Sequence, residues 1–96
     1  MKNSQDILNI LRSQRATLKS RFSVQKIGLF GSCARNEAKS ESDVDILVDL
    51  ADPSFDHYMD LKFFLEDLLH ASVDLVFSET LKPRLRPYIM QEIIYA

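Results

Sequence analysis

KIGLFGSCARNEAKSESDVDILVDL, residues 26–50, divides into a strand, a Gly-Ser turn opening a short helix, a polar loop, and a second strand beginning with two aspartates. Ile27, Leu29 and Phe30 have strand character that stops at Gly31-Ser32, where small residues let the backbone approach a ligand closely. From Asp43 onward the residues alternate. Asp43, Asp45, Leu47 and Asp49 share one face, and Val44, Ile46, Val48 and Leu50 share the other, the core face. Asp43 and Asp45 therefore stand about 7 Å apart along one strand and point the same way.

Carboxylates so placed call for a cation. Like charges about 5–7 Å apart repel by roughly 2–3 kcal/mol at an effective dielectric of about 20. A hard divalent ion turns that repulsion into attraction, and Mg2+ held by carboxylates beside phosphates is a common setting for it. Gly31-Ser32 offers the complementary half, because backbone N–H groups and a hydroxyl at a helix start cradle phosphate. A phosphate grip and a metal grip on adjoining strand ends make a nucleotide site.

Composition sets the bounds. The chain has 96 residues, 46% of them apolar, which suits a single domain over residues 1–96 with its own core. A net charge of −2 argues against a general nucleic-acid binder, so no direct nucleic-acid partner is expected. Cys33 is the lone cysteine and cannot form an internal disulfide, which fits a reducing cytoplasm. No apolar run is long enough for a signal peptide or a membrane span.

Taken in order, residues 4–22 read as a helix with Ser4 as N-cap and Asp6 in its first turn, burying Ile7, Leu8, Leu11, Leu18 and Phe22. Residues 24–30 form the first strand, and residues 32–38 a short helix whose end Asn36 closes in a left-handed conformation. A charged loop over 39–42 leads into the second strand. Residues 55–70 carry the wide apolar stripe of a third helix, through Tyr58, Leu61, Phe64, Leu65, Leu68 and Leu69. Residues 73–77 form a third strand, on which Asp74 faces away from Val73, Leu75 and Phe77 and becomes the third carboxylate.

Topology follows from bringing these groups together. Ser32 meets Asp43 and Asp45 only if the first two strands are antiparallel. Asp74 meets Asp45 only if the second and third are parallel, with the helix between them as a right-handed crossover. The expected architecture is α/β (α+β): a small mixed three-stranded sheet with helices packed on one face and acids on the open face. Pro83 and Pro87 precede a terminal helix over residues 88–96. Its Tyr88, Ile94 and Tyr95 widen an apolar stripe that either docks on the core or serves association, in a homo- or hetero-oligomer.

Gly31-Ser32, Arg35, Ser42-Asp43-Val44-Asp45 and Val73-Asp74-Leu75-Val76 together resemble a minimal nucleotidyltransferase (MNT) of the polymerase-β-like superfamily. The likeness covers nearly the whole chain, and residues 82–89, KPRLRPYI, resemble the end of MNT-domain antitoxins. Two positions depart from the family pattern: Asn36 stands where Gly is common, and Cys33 where a basic or aromatic residue is common. The resemblance implies an antitoxin that transfers AMP from ATP to a tyrosine of a HEPN-type ribonuclease toxin. It implies that Gly31 and Ser32 hold the β and γ phosphates, that Asp43 and Asp45 ligate two Mg2+ ions, and that Asp74 completes the catalytic one. Arg35 either reaches the phosphates or pairs with the acidic loop. The alternative is a catalytically silent MNT antitoxin that neutralises its toxin by binding alone. The intact set of three aspartates favours the enzyme, because blocking places no demand on them.

Overall fold

The computed structural model describes residues 3–39 and 42–96, so Ser40 and Glu41 of the expected charged loop lie outside the described residues. Helix α1 spans Ser4–Ser13 and helix α2 spans Arg15–Phe22. The N-cap is Asn3 rather than Ser4: the Asn3 side chain accepts from the Asp6 N–H at 2.8 Å. The apolar spacing predicts one continuous helix over residues 4–22, and the chain instead breaks at Gln14. The Ser13 hydroxyl donates back to the Ile10 carbonyl at 2.6 Å beside the break, a bond that competes with regular helix. Both helices bury their apolar residues, Ile7, Leu8 and Leu11 from the first and Leu18 and Phe22 from the second.

Strand β1, Val24–Phe30, runs into the four-residue helix α3, Gly31–Ala34, and strand β2 follows at Val44–Leu50. The β1–β2 pair is antiparallel and sets Phe30 opposite Asp45 and Gly28 opposite Leu47. Helix α4, Phe55–Leu69, is capped by Ser54, whose hydroxyl accepts from the His57 N–H at 3.1 Å. It ends at His70 in the left-handed conformation. The crossover delivers strand β3, Val73–Phe77, parallel to β2 with Asp45 opposite Asp74. Two bonds lock α4 to that strand: the Tyr58 hydroxyl donates to the Leu75 carbonyl at 2.9 Å, and Glu66 accepts from the Val73 N–H at 3.0 Å. Val44, Ile46, Val48 and Leu50 enter one core with Ile27 and Leu29 of β1 and with Leu61, Leu65 and Leu69 of α4.

The C-terminal segment departs from the expected helix over 88–96. Helix α5 covers only Arg86–Glu92, and Ile94–Tyr95 form strand β4. β4 pairs antiparallel with β1, Tyr95 opposite Gly28 and Ile94 opposite Leu29, so among the described residues the sheet has four strands in the order β3-β2-β1-β4 rather than three. Ile93-Ile94-Tyr95 is β-branched and aromatic, and the free edge of β1 offers it hydrogen-bond partners that a frayed helix end lacks. The Ala96 N–H completes the return by donating to the Ile27 carbonyl at 2.9 Å. The acid-bearing face is accordingly not left open along its length. Ile93 lies over Gly28, where a Cβ would sit 2.7 Å from its Cδ1. Leu47, opposite Gly28, is buried although it shares a face with Asp45 and Asp49.

Candidate active site

Gly31 is where β1 stops and α3 starts, and its φ of +73° is a conformation that side chains disfavour. Space adds a second requirement, since a Cβ there would collide with Asp45 Oδ2. The Gly-Ser turn therefore lies directly against the second-strand carboxylate. Ser32 follows, half-buried in the first turn of α3. Cys33 is buried on the inner side of the same turn, its Sγ 3.9 Å from the Asp43 carbonyl, and burial, with Asp45 second, raises its pKa. Asn36 adopts the left-handed conformation expected of it, with φ of 57°. Its side chain also accepts from the Ser4 N–H at 2.8 Å, tying the exit of α3 to the start of α1. Both departures from the family pattern thus have structural occupations.

The three aspartates come from two neighbouring strands. Asp43 is exposed just ahead of β2, Asp45 is half-buried one step into it, and Asp74 is exposed at the matching level of β3. Asp49 is also on this face, but it stands beside Lys26 at the far end of the strand pair. Asp45 feels the cluster most strongly. Its pKa is pushed up to about 6, first by burial, then by the charge of Asp74 and a side-chain hydrogen bond with it, then by Asp43 and Glu92. That is a concentration of negative charge at one corner of the sheet, and it suits a hard divalent ion. Among the described residues no three acids have closed into a ready-made cage. Mg2+ keeps several waters and takes phosphate oxygens, so a partial set of carboxylates is the donor set it uses.

Arg35 is one turn beyond Ser32 and pairs with Glu37 at 3.3 Å and Glu92 at 2.6 Å. Glu37 belongs to the segment expected as the short helix over 32–38, and Glu41 of the charged loop lies outside the described residues. Glu92 was not among the expected site residues. Its second oxygen accepts from the Gly31 N–H at 3.0 Å, so one carboxylate bridges the Gly-Ser turn and the guanidinium. Nothing local marks Glu92, which is 61 residues from Gly31 and arrives only because β4 returns to β1.

The family model described as "Nucleotidyltransferase domain" matches residues 11–96. The Protein adenylyltransferase MntA of Thermococcus cleftensis is 42% identical over 92 residues, spanning 95% of this chain and 93% of that protein. Among solved structures, a chain assigned as a minimal nucleotidyltransferase superposes with a TM-score of 0.80 at 34% identity, covering 97% of this chain and 95% of that one. A chain from the complex of tri-AMPylated Shewanella oneidensis HEPN toxin with MNT antitoxin gives a TM-score of 0.60 at 26% identity, covering 97% of this chain and 67% of that one.

Proposed function

This chain belongs to the nucleotidyltransferase domain family, and from that membership we propose that it is a protein adenylyltransferase acting as the antitoxin of a HEPN-type toxin. The observation that carries the proposal is a juxtaposition: the Gly31 backbone lies against Asp45, and Asp45 stands opposite Asp74. Phosphate donors and acids thus meet at one corner of the sheet, as transfer of a nucleotidyl group requires. The relative from Thermococcus cleftensis and the MNT–HEPN complex support protein as acceptor and the toxin as partner.

In this reading the Gly31 amide, the Ser32 hydroxyl and Arg35 bind the β and γ phosphates of ATP. Asp43, Asp45 and Asp74 would hold Mg2+. Bound there, the metal supplies positive charge that acidifies the acceptor hydroxyl and offsets charge on the phosphates. Asp45, anchored in β2, fixes the level of the acids relative to the Gly-Ser turn, and Asp74 presents the acceptor side from β3. A tyrosine oxygen of the toxin bonds to the α-phosphorus, the bond to the β-phosphate oxygen breaks, pyrophosphate leaves, and the hydroxyl proton passes to solvent. The chain acts as one domain in the cytoplasm, with ATP and the toxin as partners and no nucleic acid of its own.

The test is position-specific labelling. With Mg2+ and the HEPN partner, label at the α-phosphate of ATP should appear on the toxin, and label at the γ-phosphate should not. Transfer of γ-label would make the chain a kinase, and transfer of neither would remove the enzymatic reading.

A further inference from the structure

Glu92 touches two of the three groups assigned above to phosphate. Oε1 takes the Gly31 N–H at 3.0 Å and Oε2 takes the Arg35 guanidinium at 2.6 Å. An amide and a guanidinium on adjacent oxygens of one anion is how a phosphate would be received. Glu92 is brought there by structure, not by a wandering side chain. Helix α5 ends at it, Ile93 covers Gly28, and β4 fastens the next residues to β1.

We propose that Glu92 is an internal surrogate for phosphate: in the nucleotide-free chain it occupies the Gly31 amide and Arg35, and the incoming triphosphate must displace it. This rests on the phosphate role given to Gly31 and Arg35 under the proposed function. Gly31 has a single N–H, so both anions cannot hold it together. The Glu92 side chain is 27% exposed and that of Arg35 46%, so the pair is reachable by solvent and readily exchanged. Glu92 also adds negative charge beside Asp45, which a polyphosphate would meet on arrival. Glu92 therefore sets the triphosphate affinity as an internal competitor. By linkage, triphosphate and a docked Glu92 weaken each other equally.

The experiment uses the full chain and inorganic tripolyphosphate without metal, followed by calorimetry. Glu92→Gln should bind about tenfold more tightly than wild type, the scale of one charge-assisted hydrogen-bond pair. Glu37→Gln removes the same charge from the other partner of Arg35 but leaves the Gly31 amide contact in place, and should gain less than about threefold. Equal gains would reduce the effect to general relief of negative charge, and weaker binding by Glu92→Gln would make Glu92 a strut; either overturns the proposal. A second readout needs no variant: the Glu92 carboxyl carbon and Gly31 amide NMR signals of wild type should shift with one midpoint during titration. A stationary Glu92 signal also overturns it. If α-label reaches the toxin while Glu92 proves indifferent, the function stands and this inference falls. If neither tripolyphosphate nor ATP with Mg2+ binds any variant, both fall.

Discussion

Asp45 of β2 and Asp74 of β3 stand opposite each other across a parallel strand pair, each one step past its strand's start. The register puts two carboxylates at one level, and burial first, then the Asp74 carboxylate and the other nearby acids, raise the Asp45 pKa to about 6 from 3.8. An acid whose pKa is higher folded than unfolded favours the folded state while protonated. Its contribution is fully present below about pH 4 and is lost as pH rises through about 6. Metal-free protein in chelator should therefore lose melting temperature between those values relative to Asp45→Asn, whose position does not titrate. Mg2+ added above pH 6 should recover the loss in wild type only. Parallel melting curves for the two proteins across this range would contradict the electrostatic account.

Gly31 should be intolerant of any side chain. Gly31→Ala must hold a positive φ, at about 1–3 kcal/mol, and must push Asp45 aside. Urea unfolding should show that loss, and calorimetry with ATP and Mg2+ should show weakened binding as well. Wild-type stability together with wild-type affinity would contradict the close packing of turn against acid.

Much of this arrangement was legible in the chain, because alternation of acids with Val44, Ile46, Val48 and Leu50 admits one pairing of faces. The antiparallel and parallel partners of β2 followed from requiring Ser32, Asp45 and Asp74 to meet. The C-terminal segment was not legible. Leu85, Ile89 and Ile93 have helical spacing, and only the unpaired edge of β1, a tertiary feature, draws Ile94 and Tyr95 into a strand. Glu92 escaped for the same reason: its contact with Gly31 exists only once β4 has docked. The break at Gln14 was hidden too, since Leu11 and Leu18 are seven residues apart and suit an unbroken helix equally well.

Tyr88 is 71% exposed on α5, and Leu85 and Tyr95 are exposed on the same C-terminal segment. If this surface receives the toxin, Tyr88→Asp should weaken association at least about tenfold, as loss of an interface aromatic does, with an unchanged melting temperature. Surface plasmon resonance against the HEPN partner measures it. Undiminished binding by the folded variant would place the toxin elsewhere.

Asp74→Asn separates transfer from binding. The change keeps size and strand position and removes one charge from the acidic edge, so the fold and triphosphate affinity should persist. Transfer should fall about 100-fold or more, the scale of a lost preorganised electrostatic group. The direct measurement is the intact mass of the HEPN toxin after incubation with ATP, Mg2+ and either protein. One or more AMP increments are expected with wild type and almost none with Asp74→Asn. A toxin of unchanged mass with wild type, still neutralised equally by both proteins, would contradict the enzymatic reading and leave a binding-only antitoxin.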